Sequence, residues 1–449
     1  MKKNLQKGSF VVLAAMFLGL SGLQAANTTV ELTKEGTLAA QLGAESKSIT
    51  DLTVKGPINA ADFATLLTMG QGNLKSLDLS DALPVGDSIP SRALANAKVV
   101  ESLVLPKTTV RIGSFALAGL AISSIELPAP LEYIGDHAFR SRGILATLTL
   151  AEGNKAYSLV DGILYSADKK TLILCPSARE GVVTVADGVT RIENSAFDFC
   201  SKITSVKLPA SVEELDDYAF SGAKALASVN LDQVQTIGFD AFNGCDAFAG
   251  VNGKLSLPKM KLIGSMAFAS IPIIELETGD ALESIGENAF WLCGQLTKVT
   301  LGKNIQEIGK SAFHADNLLL TVYCYAEVPP VMGDDNAINY TFEEKGTLYV
   351  PKGTAAAYKS ASVWKRVKNI QEMSTTGINS IDNPESQVAG VEGGILVSAN
   401  AGAIVRIFNA AGVLVKEQTV VAGSGQISLV KGIYYVSLNK AKAVAVLVK

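Results

Sequence analysis

Residues Ile285–Phe313 read IGENAFWLCGQLTKVTLGKNIQEIGKSAF. The stretch opens on IGENAF and closes on IGKSAF, 23 residues later. Moving outward, the same six-residue pattern starts at Ile89 (IPSRAL), Ile112 (IGSFAL), Ile134 (IGDHAF), Ile192 (IENSAF), Leu215 (LDDYAF), Ile237 (IGFDAF) and Ile263 (IGSMAF). Successive steps along the nine copies are 23, 22, 58, 23, 22, 26, 22 and 23 residues. A period of roughly 20–29 residues marks a leucine-rich-repeat solenoid, whose units cannot bury their apolar residues alone and must stack.

A second pattern, L-x-x-L-x-L, lies between the copies: Leu74/Leu77/Leu79, Val100/Leu103/Leu105, Ile122/Ile125/Leu127, Leu145/Leu148/Leu150, Ile203/Val206/Leu208, Leu226/Val229/Leu231 and Leu296/Val299/Leu301. The last two apolar residues of each set are two apart, so they point to one face of a strand. Pro106, Pro128, Pro209 and Pro258 then stop strands, because proline cannot donate to a ladder. Each unit is predicted to form one short strand, a turn, a second extended piece ending at Ile-Gly, and a short helical turn through Ala-Phe. Stacking places Phe220, Phe242, Phe268 and Phe290 in one buried column. The Gly after Ile supplies either positive φ or close approach between coils. With strands about 4.8 Å apart, nine coils predict a single curved body about 45 Å long.

The long step holds an insertion, residues 152–176, whose "DGILY…TLILCP" reads as a hairpin flanking the solenoid and rejoining it at Val189. Residues 26–73 and 326–373 are expected to cap a solenoid spanning 74–325, as stacked repeats require. Residues 374–390, rich in Ser, Thr, Asn and Gly, read as a linker. Strand-like runs separated by turn signals over 391–449 predict a small antiparallel β-sandwich. At the other end, Lys2, Lys3 and Lys7, the apolar run Phe10–Leu20 and the small residues Ala25 and Ala26 follow the layout of a secretory signal peptide over 1–25. No later run is long enough to span a bilayer, so no transmembrane segment is expected once the signal is removed.

Hydrophobic residues make up 48% and charged residues 18%, enough for a large core and against global disorder. A net charge of −4 and no basic stripe speak against nucleic acid. Five cysteines is an odd number. Cys200, Cys245 and Cys293 each follow their repeat's Phe by three positions, on alternate repeats roughly 9–10 Å apart, too far for a disulfide. They read as small buried residues; Cys175 and Cys324 have no assignable pairing.

The IGxxAF copies, the LP strand ends, the "DGILY…TLILCP" insertion and the "LYVPKGT…Y…W" segment together resemble the BspA-type leucine-rich-repeat surface proteins of bacteria over residues 70–373. The resemblance implies an extracellular or surface-attached protein, in some members an adhesin or surface antigen. The tail, with "VRIFNAAGVLVKEQTV", "GQISLVKGIYYVSL" and a Lys-terminated last strand, resembles the C-terminal sorting domain of type IX secretion. That resemblance implies contact with outer-membrane export machinery.

Chemistry is sparse. His137 and His314, the two histidines, read as exposed repeat-variable residues, and no H-E-x-x-H, G-x-S-x-G or C-x-x-C occurs. "NIQEIGKS" (Asn304–Ser311) imitates a phosphate loop but lies in the ordinary repeat slot. Asp334-Asp335-Asn336 lacks calcium-loop spacing and reads as a solvated turn. Glu213, Glu214, Asp216 and Asp217 are close in sequence, but period-two alternation splits them between faces. No catalytic, cofactor or metal residue is expected. What remains is surface. The outward column between the paired apolar positions is Asp78, Val104, Glu126, Thr149, Lys207, Asn230 and Thr300. It reads first as a solvated sheet face and otherwise as the candidate ligand face, with Tyr133, Tyr165, Tyr218, Trp291 and Tyr340 as aromatic candidates and Ser88, in "DSI", as a candidate O-glycosylation acceptor. The expected activity is non-enzymatic binding of host or bacterial extracellular proteins or glycoproteins; the alternative is a structural surface or periplasmic scaffold.

Overall fold

The computed structural model describes residues 27–140, 143–373, 387–391, 394–399, 404–409, 413–419, 423–438 and 444–448. The signal-peptide reading over 1–25 and the linker reading up to residue 386 lie outside them. The chain divides into two compact units, Met1–Phe248 and Ala249–Lys449.

The first unit opens with strands Asn27–Glu31, Asp51–Ile58, Ser76–Asp78 and Ser102–Val104, hydrogen-bonded in that order and parallel. Helix Ala60–Gly70 starts at a capping box, in which Asn59 accepts from the Ala61 N–H while Asp62 returns a bond to the Asn59 N–H at 2.9 Å. The Asp62 carboxylate also takes the Gly36 and Leu38 N–H groups, tying the first loop to this helix. Short two-residue strands ending at the Ile of each copy form a second parallel ladder, Ser88–Ile89, Arg111–Ile112 and Tyr133–Ile134.

The insertion lies inside the stack rather than beside it. Tyr157–Val160, Ile163–Ser166 and Thr171–Leu174 form an antiparallel meander, and Thr171 and Leu172 then pair in parallel with Arg191 and Ile192. That ladder continues through Glu214–Leu215 and Thr236–Ile237. Leu164 joins the same buried cluster as the preceding repeats. The meander therefore fills one place in the stack because its last strand offers the edge that a repeat would have offered.

In the second unit, strands Lys254–Leu257, Glu275–Thr278, Lys298–Leu301, Thr321–Cys324, Thr347–Val350 and Asn369–Glu372 run parallel in unbroken register. The last two belong to the segment read as a cap, where Tyr358 and Trp364 are buried and donate to the carbonyls of Ala326 and Pro330. The tail forms two antiparallel sheets, Gln387–Val391/Gly394–Ala399/Gly423–Ser428 and Leu414–Thr419/Ile404–Asn409/Gly432–Leu438/Val444–Val448. Its first strand begins inside the segment read as a linker.

Coil geometry explains the motif. The Ala-Phe piece is a run of hydrogen-bonded turns, not a helical turn of i→i−4 bonds. The residue before Ala takes positive φ in all nine copies: Arg92, Phe115, His137, Ser195, Tyr218, Asp240, Met266, Asn288 and Ser311. The Gly after Ile, by contrast, serves close approach: a Cβ on Gly286 would lie 2.4 Å from the Ser265 nitrogen. The Phe rings stack within each unit, Phe197–Phe220 at 4.8 Å and Phe220–Phe242 at 5.1 Å in the first, Phe268–Phe290 at 5.4 Å and Phe290–Phe313 at 5.3 Å in the second. Each of the four predicted column residues is fully buried.

Candidate functional site

The outward strand residues divide by what their side chains touch. Val104, Glu126, Thr149 and Lys207 are exposed, and Asp78 and Thr300 are half-buried. Asn230 is exposed but committed: its amide donates to the Leu208 carbonyl at 2.9 Å and accepts from the Leu208 N–H at 2.8 Å. Strand pairing stops at Val229, and this side chain supplies the next pair of bonds. Asn230 is thus structural rather than part of an open face.

Register in the second unit adds residues that the sequence pattern hid. Ser256, Glu277, Thr300, Tyr323, Tyr349 and Gln371 pair in one outward column. Tyr323 and Tyr349 stack at 4.6 Å, half-exposed among polar neighbours. Thr278 and Cys324 hold the strand positions where Leu is usual, which is why Glu277 and Tyr323 escape an L-x-x-L-x-L search. Tyr133 and Tyr340 are exposed at 40% and 70%, but Tyr165 is a correction: it is 1% exposed, and its hydroxyl accepts the Ala186 N–H. Tyr218 and Trp291 are half-buried. Ser88 is half-exposed in a two-residue strand.

His137 is a second correction. His314 is exposed, but His137 is 7% exposed. The reason is the insertion. Elsewhere the motif residues bond coil to coil, as Phe197 N–H does to the Ala219 carbonyl and Phe290 N–H to the Ala312 carbonyl. At the 58-residue step the Ala196 carbonyl takes the Cys175 N–H instead, at 2.8 Å. A cavity of about 270 Å³ opens between IGDHAF and IENSAF, lined by His137, Ser195, Asp198, Arg140, Glu193 and apolar residues behind them.

There the His137 Nδ1 lies 2.9 Å from Asp198 Oδ2 and 2.8 Å from Ser195 Oγ. Ser195 also reaches Asn194 Oδ1 at 2.5 Å, so its hydroxyl proton is used there. The Nδ1–H is shared by Asp198 Oδ2 and Ser195 Oγ, while Asp198 Oδ1 is buried without a hydrogen-bond partner among the described residues. A serine–histidine–aspartate relay needs Ser on one ring nitrogen and Asp on the other. Here both sit on one, so Ser195 is not activated by this histidine. Arg140 pairs with Asp198 at 3.3 Å and lies over the Phe199 ring, while Phe115 and Tyr218 flank the imidazole at 4.7 Å each. Burial raises the carboxyls of Glu193 and Asp240, and pushes the Tyr157 hydroxyl up to about 12.

The remaining carboxylates are dispersed. Asp216 binds Arg191 at 2.8 Å, Asp217 accepts the Phe239 N–H, and Glu213 and Glu214 are exposed. Asp334 accepts from the Ser311 and Asn336 N–H groups, as a turn residue does. The cysteine slot is interior: the Cys245 and Cys293 thiols donate to the Phe220 and Phe268 carbonyls at 3.1 and 3.2 Å. Among the described residues, no three His, Cys, Asp or Glu side chains gather to hold a metal, and no helix is long and apolar enough to cross a membrane.

The profile of the BspA type leucine rich repeat region matches residues 69–180, 179–257 and 230–328, more than half of the chain. Among solved structures, the chain is similar to a leucine rich cell surface protein from Faecalibacterium prausnitzii (20% identity, 66% of this chain, 78% of that one, TM-score 0.41). It is also similar to the pneumococcal vaccine antigen PcpA (16% identity, 73% and 80%, TM-score 0.49). A leucine-rich repeat protein from Eubacterium ventriosum has 19% identity, covering 66% and 87%, with TM-score 0.49. No curated protein matches.

Proposed function

We propose that the chain, which belongs to the BspA-type leucine-rich-repeat family, is an exported, adhesin-like surface protein that binds host or bacterial extracellular proteins or glycoproteins. The observation that carries this reading is the outward column of the second unit. Six strands in register present Ser256, Glu277, Thr300, Tyr323, Tyr349 and Gln371 side by side, with a stacked tyrosine pair in a polar surround. Tyrosine rings framed by hydrogen-bonding groups are the composition that protein interfaces favour. On this reading Ser88 is a glycan acceptor, and the tail engages outer-membrane export machinery. The His137 cluster supports a non-enzymatic role, because its serine lacks a base.

The second reading, a surface or periplasmic scaffold with no dedicated ligand, draws on the ion pairs of the same face. Lys254 pairs with Glu277, and Lys298 with Glu275 at 3.4 Å, so those charges have partners already.

The test is binding of the purified chain to matrix proteins, mucin and a glycan array, with Tyr323→Ala and Thr300→Ala as variants. Saturable binding that either change weakens at least tenfold supports the adhesin-like reading; no binding to any class favours the scaffold. Deleting residues 378–449 should trap the protein in the periplasm. Surface delivery of the truncated chain would sink the sorting role of the tail.

A further inference from the structure

We propose that a groove in the second unit, beside the tyrosine column, binds a neutral oligosaccharide. The groove runs across the turns that follow strands Glu275–Thr278, Lys298–Leu301 and Thr321–Cys324, with Pro351 beyond them, and its volume is about 870 Å³. That lies within the roughly 300–1,000 Å³ of small-ligand sites. The proposal deepens the surface-protein reading by naming a ligand class, and it rests on residues other than the Tyr323 column.

Repeat register builds the polar wall. The Gln306 N–H donates to the Glu283 carbonyl at 2.9 Å, and the Lys303 N–H to Asp280 Oδ1 at 3.2 Å, so each pair stands side by side on adjacent coils. The Asp280 and Lys303 side chains also form an ion pair at 3.5 Å. The side chains of Glu283, Asn304, Gln306 and Glu327 line the groove, are exposed, and bond to no other described residue. Two carboxylates thus offer acceptors, and two primary amides offer both donors and acceptors. A sugar ring carries several hydroxyls, each of which donates and accepts, and free carboxylates and amides spaced along a groove match that pattern.

Tyr325 adds an aromatic surface. Register places it in the slot that Gly279 and Gly302 hold on the two preceding coils, so no side chain from that slot crowds its ring. The residue is 47% exposed. Ile305, Val328 and Pro351 are the apolar lining around it. The C–H face of a sugar packs on such a surface while its hydroxyls reach the polar wall. Burial, with the Glu277 carboxylate nearby, holds the Tyr325 hydroxyl above its usual range, so it stays protonated as a donor.

Charge narrows the class. Asp280, Glu283 and Glu327 line the groove with one ammonium, that of Lys303, which Asp280 already pairs. Lys352, next to Pro351, acts on Glu372 instead. Sialylated and sulfated glycans are therefore disfavoured by like charge. A divalent metal has no set of ligands there, because no three ligating side chains gather among the described residues.

The experiment screens the full chain against immobilised neutral glycans, sialylated and sulfated glycans, and a Lys/Arg-rich peptide. Calorimetric titration with the best-bound neutral glycan follows. Neutral glycans are expected to bind saturably, and anionic ones at least tenfold more weakly. Tyr325→Ala should weaken the neutral ligand at least tenfold, and Tyr325→Phe less than threefold, because the ring carries the packing. Gln306→Ala, at an exposed position that folding does not depend on, should weaken it about threefold. Tyr323→Ala should change it less than twofold; loss of protein binding in that variant alone tests the column and leaves the groove standing. A protein carrying the bound glycan that outbinds the free glycan assigns a glycoprotein source; equal affinity assigns a free oligosaccharide. The proposal is overturned if no neutral glycan binds, or if binding ignores both Tyr325→Ala and Gln306→Ala. Preferential capture of the cationic peptide or of anionic glycans overturns it as well.

Discussion

Two junctions between successive motif copies can be set side by side. In the second unit IGENAF meets IGKSAF after 23 residues. Asn288, Phe290 and Leu292 donate to the carbonyls of Lys310, Ala312 and His314, and the two Phe rings are parallel to within 1°. In the first unit IGDHAF meets IENSAF after 58 residues. There Cys175, from the insertion, takes the Ala196 carbonyl, and His137, Ser195 and Asp198 fill the space with buried polar groups. An unbroken repeat satisfies its backbone coil to coil and leaves chemistry to the outward face. A broken one keeps the ladder by substitution, and its turn side chains face one another across the gap.

The sharpest break of this contrast is in the ring column. Phe290→Ala should cost about 3–5 kcal/mol, since the ring is fully buried between two others. Phe139→Ala, beside the cavity, should cost less, about 2–3 kcal/mol, because the site already contains a void. Urea unfolding followed by tryptophan fluorescence reads the second unit, which holds Trp291 and Trp364; hydrogen exchange reads the first. Equal costs would mean the interrupted junction packs as tightly as the regular one.

A polar intrusion also tests the regular junction. Asp316 takes the slot held by Cys245 and Cys293 in other copies, is fully buried, and both its oxygens lack partners among the described residues. Burial raises its carboxyl to about 8, well above the roughly 3.9 of an unfolded chain. The folded state therefore keeps a proton that the unfolded state releases first. This stability is fully present below about pH 4, falls by at most about 1.4 kcal/mol for each pH unit, and is gone above about pH 8. Asp316→Asn should flatten the slope and raise the second unit's melting temperature at pH 8.5. An unchanged slope would place the titration elsewhere.

Asn230→Ala removes both bonds to Leu208 and should cost about 1–2 kcal/mol by chemical denaturation. Glu126→Ala, exposed on a strand of the same unit, should change stability by no more than about 0.5 kcal/mol. If the two substitutions cost the same, Asn230 belongs with the open face after all.

Much of this was legible beforehand. The coil followed from the spacing of Ile, Ala and Phe, and the burial of the cysteine slot followed from its fixed offset. Sequence spacing could not separate Asn230 from Glu126, because both stand in the same outward position. One lies beside a strand that stops and the other beside a strand that continues. Nor could it place His137 indoors. The eight other residues at its motif position include exposed Arg92 and half-buried Tyr218, and only Ser195, across the same gap, is also buried. Tyr165 sits in a run that alternates like a surface hairpin, yet the meander is packed into the stack on that side.

The sequence by itself determined that this chain stacks, at what period, and with which apolar columns, because identical residues at a fixed step can be buried only against their own copies. The tertiary structure alone decided what happens where the step fails. A hydrogen-bond ladder must be continued by whichever strand arrives next, and that strand came from inside the insertion. Its arrival brought together a histidine, a serine and an aspartate from residues 137, 195 and 198, a meeting that no local spacing encodes.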